Sequence, residues 1–203
     1  MLNYGKKRGK LIEAAGSPLT VVFVRHAEPV EPSEANDYDP DLTRRGRRQA
    51  RRLARRLASL RFDHIYMSDL VRAYRTGEAL LERHTATPVT ITKSLREISS
   101  LHFIHGMPED RHDAAAVERE RRNLGHFIAH LRRYHGEGEA VLVVAHGNLI
   151  RTLIPLLAGQ DPKGSVLIEV NNASVSVLDI WTDGPSILRL VNCVRHLPEK
   201  QIT

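Results

Sequence analysis

The stretch LTVVFVRHAE, residues 19–28, decides the fold. Leu19 to Val24 is a continuous apolar run rich in β-branched residues, the pattern of a strand buried on both faces, and it stops abruptly at Arg25 and His26. A second run of the same kind, AVLVVA at 140–145, stops just as abruptly at His146. Between them, Asp63 to Met67 and Val89 to Thr92 read as shorter strands separated by helical stretches, and strand alternating with helix predicts an α/β domain with a parallel core.

Leu42, Ala50, Leu53, Ala54, Leu57 and Leu60 recur at helical spacing, which predicts an amphipathic helix over 42–60 with Thr43 as a cap near its start. Further helices are expected over 70–84, over 113–135, and from just after Gly147 to about Leu157, the last distorted by Pro155. Towards the C-terminus, 166–170, 175–180 and 187–194 read as strands, the last two joined by the turn Thr-Asp-Gly-Pro at 182–185. The expected architecture is a single-domain three-layer sandwich with a largely parallel central sheet. It should span residues 18–203 behind a partly ordered lead-in at 1–17, with the loops 28–41 and 98–112 as the rim of the site. No internal repeat or low-complexity linker divides the chain.

At 203 residues and 41% hydrophobic content, the chain suffices for one substantial core. Its single cysteine, Cys193, excludes an intramolecular disulfide and a multi-cysteine metal cluster, which suits a reducing compartment and leads to the expectation of a cytoplasmic location. No apolar run approaches the roughly 20 residues needed to span a bilayer, so no membrane partner is expected. The net charge of +6 makes polyanions or phosphorylated substrates plausible electrostatic partners without choosing among them.

In open α/β sheets ligands collect beyond the carboxyl ends of the strands, which singles out Arg25-His26, Ser68-Asp69 and His146. Arg72 lies one helical turn beyond Ser68 and can return to the same edge. Two arginines and two histidines suit a phosphate monoester: guanidinium forks match phosphate oxygens, and a neutral imidazole is a nucleophile that requires no metal. Glu97 is a candidate proton donor.

The ordered set of motifs resembles the histidine phosphatase, or phosphoglycerate-mutase-like, superfamily. VRHAE at 24–28 is similar to its Arg-His-Gly signature, LTRRGRRQA at 42–50 to its Leu-Thr-x-x-Gly-x-x-Gln-Ala helix, and SDLVRAYRTGE at 68–78 to its Ser-x-x-x-Arg-Ala-x-x-Thr block. LREI at 95–98 resembles its Leu-x-Glu, and AHGNLIR at 145–151 its second His-Gly block. Within the family, AHGNLIR, NNASVS at 171–176 and the tail HLPEKQIT resemble the mitochondrial serine/threonine-protein phosphatase branch.

The resemblance implies a metal-independent, cofactor-free phosphatase in which His26 carries the phosphoryl group. Arg25, Arg72 and His146 would form the phosphate pocket, Glu97 would act as general acid and base, and the amides of Gly147 and Asn148 would add donors at a helix start. The expected substrate is a phosphorylated small molecule or a phosphoprotein. Nucleic acid is disfavoured, and a homodimer is compatible with the sequence. Two departures stand out: Ala27 where the signature has Gly, which brings a methyl group to the pocket, and Pro32 where many members carry an Asn ligand.

Alternatives remain open at this level. Glu28 or His105 can replace Glu97 as the proton donor, and Ser68 can serve simply as a helix cap. The arginines of 42–60 can be a solvated face or a steering surface. The pairs His102 with His105 and His126 with His130 lack the flanking carboxylates of a metal site. The enzymatic rival is a mutase that retains and returns the phosphoryl group. The non-enzymatic rival is a basic binding module with an idle pocket.

Overall fold

The structure, a computed structural model, describes residues 17–31, 39–98, 114–160 and 168–203. Its sheet has six strands: β1 (Leu19–Arg25), β2 (His64–Ser68), β3 (Val89–Thr92), β4 (Ala140–Ala145), β5 (Val175–Ile180) and β6 (Ile187–Cys193). They lie in the order β3-β2-β4-β1-β5-β6. The first four are mutually parallel, and β5 runs antiparallel to both β1 and β6, so the expected C-terminal hairpin closes one edge.

The register of β1 on β4 matters most for the site. Thr20 pairs with Ala140 and Arg25 with Ala145, so the two apolar runs end side by side. The His26 amide then donates to the Ala145 carbonyl at 2.8 Å.

Alternation along these strands divides the core into two layers. Val21, Phe23, Val141 and Val143 face α3 (Ala114–Tyr134) and α4 (Gly147–Leu157), meeting Leu124, Phe127, Leu131, Leu149 and Leu153. Val22, Val24, Leu142 and Val144 face α1 (Arg44–Leu57) and α2 (Val71–Leu81), meeting Leu53, Leu57, Ala73 and Leu80. Strands buried on both faces cannot alternate polar with apolar, which is why the two runs read as they do.

Thr43 caps α1 by accepting from the Gly46 amide at 2.9 Å. The helix closes at Leu57 rather than at 60, where the Leu60 amide folds back to the Leu57 carbonyl. α2 ends at Leu81 rather than at 84, its last amides tightening into i→i+3 bonds from Arg83 to Leu80 and from His84 to Leu81. Pro155 sits inside α4 without ending it: the Ala158 amide still reaches Ile154 and that of Gln160 reaches Pro155.

The strand expected at 166–170 is corrected over 168–170, which form no strand, while Val166 lies outside the described residues. The carbonyls a ladder would use are taken by arginines: Arg151 donates to Ile168 at 2.7 Å and Arg25 to Val170 at 2.6 Å. The lead-in over residues 1–16, half of the 28–41 loop including Pro32, and the 98–112 loop after Ile98, with His102 and His105, lie outside the described residues.

Candidate active site

Three strand ends and one 3₁₀ turn meet at the carboxyl edge of the sheet. β1 delivers Arg25 and His26, β2 delivers Ser68, and β4 delivers His146, which caps α4. The turn Lys93–Leu95 after β3 leads into Arg96 and Glu97. The His26 and His146 rings lie 5.1 Å apart, centroid to centroid.

His26 is 3% exposed, and its Nδ1 is 2.8 Å from the carbonyl of Ala27. In the neutral ring this makes Nδ1 the donor and leaves the Nε2 lone pair available. Burial, reinforced by the positive charges of Arg25 and Arg72, drops its pKa to about 3. The Ala27 methyl is fully buried within the apolar layer shared with α1 and α2, so the extra carbon has become core.

His146 is fully buried and meets Ser68 Oγ through Nε2 at 2.9 Å. Ser68 Oγ also accepts from the Leu70 amide at 3.3 Å. His146 Nδ1 is a buried atom with no hydrogen-bond partner among the described residues. Burial first, then the positive charges nearby, hold His146 well below the usual imidazole range. Both histidines are therefore neutral around pH 7.

Arg25 is partly buried, and burial lowers its pKa while the Glu97 carboxylate opposes that shift. Its Nε is a second buried polar atom without a partner among the described residues. Gly147 lies against this guanidinium: a Cβ there would stand 3.4 Å from Arg25 Nε. Arg72, at the start of α2, faces Asp39 at 3.7 Å. Its charge also acts on both histidines.

Glu97 accepts from the Ile98 amide at 3.1 Å, from Leu149 at 3.2 Å and from Asn148 at 3.5 Å. Burial nonetheless raises its carboxyl above the ordinary value, outweighing those amides and Arg25. The Asn148 amide is thus directed at Glu97, and its side chain donates to the Ile98 carbonyl at 3.2 Å. Neither group points to a phosphate role of the kind expected for Asn148. Glu28, the other described candidate acid, is occupied by Thr43 at 2.6 Å and by an ion pair with Arg45.

Several supporting residues have no role legible in the sequence. Thr76 accepts from the Ala27 amide at 2.9 Å and donates to the Arg72 carbonyl at 2.8 Å, tying the His26 loop to α2. Gln49 accepts from the Glu28 amide at 2.7 Å and donates to the Gln201 carbonyl at 2.7 Å, fastening the C-terminal tail beneath the same loop. Asn172 donates to the His26 carbonyl at 3.1 Å, and Asp69 holds Arg96 with two bonds of 2.7 Å. Gly46 admits close packing, since a Cβ there would fall 2.1 Å from the Glu28 carbonyl oxygen. Gln49 and Thr76 are letters of the motifs in 42–50 and 68–78, so the motif pattern was the signal that could have found them.

Among the described residues no group of three or more His, Cys, Asp or Glu side chains is arranged to hold a metal ion, and His126 and His130 are exposed on α3. No described helix is long and apolar enough to cross a membrane.

The sequence matches the histidine phosphatase superfamily (branch 1) over residues 21–126 and 108–193. It is 27% identical over 196 residues to the serine/threonine-protein phosphatase Pgam5, mitochondrial, of Drosophila ananassae, covering 90% of this chain and 66% of that protein. It is likewise 27% identical over 192 residues to the mouse serine/threonine-protein phosphatase PGAM5, mitochondrial, covering 90% and 65%. The chain thus spans about two thirds of the length of these relatives.

Among solved structures, a putative alpha-ribazole-5'-P phosphatase from Escherichia coli is 25% identical with a TM-score of 0.66, covering 86% of this chain and 97% of that one. A phosphoserine phosphatase from Entamoeba histolytica shares the fold at 20% identity and a TM-score of 0.67, covering 89% and 100%. The expected cytoplasmic location is corrected by the relatives, which are mitochondrial by name. One cysteine suits any reducing compartment, so cysteine usage could not select the cytoplasm. By the extent of the match and by its fold, the chain belongs to branch 1 of the histidine phosphatase superfamily, with a Pgam5-like sequence.

Proposed function

We propose that the chain is a phosphomonoester hydrolase working through a phosphohistidine on His26, with phosphoproteins within its substrate range. The observation that carries this reading is the fixed His26 ring. Its Nδ1 is committed to the Ala27 carbonyl, so a neutral Nε2 is offered beside Arg25, Arg72 and His146.

In the first step His26 Nε2 attacks phosphorus in line and the P–O bond to the leaving group breaks. The departing oxygen takes the proton of Glu97, whose raised pKa keeps it in its acid form to higher pH. In the second step ionised Glu97 takes a proton from water, the hydroxide oxygen bonds to phosphorus, and the P–N bond breaks. Inorganic phosphate leaves, and His26 returns neutral while Glu97 is again protonated. Arg25 and Arg72 offset charge on the equatorial oxygens, and the unpartnered Nδ1–H of His146 donates to one of them. The serine/threonine-protein phosphatase relatives support the phosphoprotein reading.

The test is phosphate release from an aryl phosphate in excess chelator, comparing wild type with His26→Ala. Turnover that persists in chelator and disappears in the variant is expected. Turnover that needs a metal, or that survives the substitution, contradicts the reading. Phosphoglycerate interconversion without net phosphate release would identify a mutase instead.

A further inference from the structure

α1 carries eight arginines and no acidic residue along RRGRRQARRLARRL. Its buried side is Gly46, Gln49, Ala50, Leu53, Ala54 and Leu57. Three arginines serve the fold: Arg45 pairs with Glu28, Arg47 with Asp41, and Arg56 donates to the Cys193 carbonyl and meets His196. Arg52 is half-buried.

Arg44, Arg48, Arg51 and Arg55 are different. They recur at i, i+4, i+7 and i+11, which places them in one line along the helix, and all four are exposed. At 1.5 Å per residue the line is about 16 Å long. None of the four has an ion-pair or hydrogen-bond partner among the described residues. Like charges one turn apart weaken a helix, so this arrangement works against stability.

The line starts at the candidate active site. The Thr43 amide donates to the Glu28 carbonyl at 3.0 Å, and Glu28 lies two residues after His26. From there α1 runs back along the sheet, away from the carboxyl edge. A row of guanidinium groups therefore leads outward from a pocket suited to a phosphate monoester. A duplex nucleic acid or a lipid surface offers phosphodiesters or a plane of charge, whereas this geometry joins one monoester pocket to one line of cations. An extended polypeptide, at about 3.3 Å per residue, covers 16 Å with roughly five residues.

We propose that the pocket takes phosphorylated acidic polypeptide segments, whose carboxylates on one flank of the phosphoamino acid lie along Arg44, Arg48, Arg51 and Arg55. The proposal rests on the phosphomonoesterase reading for its chemistry and on α1 for its selectivity. Exposed charges of this kind act on encounter and affinity and are screened by salt, so they should affect KM far more than kcat.

The experiment compares three substrates: a phosphoserine peptide with acidic residues filling one flank, the same peptide with those residues changed to their amides, and an aryl phosphate. Each is hydrolysed by wild type, by the combined variant Arg44→Gln, Arg48→Gln, Arg51→Gln, Arg55→Gln, and by the matching fourfold Arg→Lys variant. The expected result is a loss of about tenfold in kcat/KM for the acidic peptide alone in the Gln variant, the scale of four modest exposed charge pairs. Rising salt should reproduce that loss in wild type, and Lys should retain most of the activity. Equal use of acidic and neutral peptides by wild type overturns the proposal, as does a Gln variant that loses the aryl phosphate equally. Tighter binding of a DNA duplex or of anionic phospholipid vesicles than of the acidic peptide through the same arginines also overturns it. If wild type hydrolyses none of the three, the pocket reading fails, and fluorescence anisotropy of the labelled acidic peptide on wild type and Gln variant still decides the role of the arginines.

Discussion

The ends of β1 and β4 invite comparison, because the same register brings a histidine to each and the surroundings then treat the two rings oppositely. His26 has its Nδ1 tied to the next carbonyl, and its loop is held by Thr76, Asn172 and Gln49. His146 is held through Nε2 by Ser68, and its Nδ1 is left buried and unpartnered. One ring is anchored through Nδ1 and the other through Nε2. Two identical side chains in adjoining positions are thereby given different chemistry by their hydrogen-bond partners.

That asymmetry can be tested from each side. Replacing His26 by Ala should cost the most, about 10⁴-fold or more in kcat, since it removes the proposed nucleophile. Replacing Glu97 by Gln should cost about 10²- to 10⁴-fold and abolish the alkaline limb of the pH–rate profile, which for wild type falls as Glu97 ionises above its raised pKa. His146→Ala should lower kcat by roughly 10²- to 10³-fold, the scale of one lost donor to the developing charge. Equal losses at His26 and His146 would break the comparison. Thr76→Val should leave the Ala27 amide buried without an acceptor and lower stability by about 1–3 kcal/mol, read as a shifted urea midpoint.

A last effect is on stability against pH. An unfolded histidine binds a proton below about 6.5, whereas folded His26 does so only near 3, so the unfolded state binds more protons between those values. Stability should therefore fall as pH drops through that window. The fall should be shallower in His26→Asn, and an unchanged slope would sharpen attention on His146, whose pKa is depressed in the same direction.

Much of this site was legible because buried parallel strands write their own boundaries. The apolar runs ending at Arg25 and at His146 marked both strand ends, spacing from Ser68 pointed to Arg72, and the family motifs gave Arg72 and Glu97 their expected roles. What stayed hidden were partners distant in sequence. Gln49 bonds to Gln201 and Asn172 to His26, contacts that exist only once the tail folds back under β1. The segment before Asn171 misled for a related reason: its apolar letters suit a strand, but two arginines from elsewhere claim its carbonyls. Composition likewise could not distinguish one reducing compartment from another.

The contrast between the two rings is tested most directly by locating the phosphoryl group on the protein during turnover. Rapid acid-free quenching followed by ³¹P NMR and peptide mapping should find one phosphoryl group on His26, bonded to Nε2. Phosphorylation at Nδ1, on His146, or on neither histidine while turnover proceeds would contradict the account.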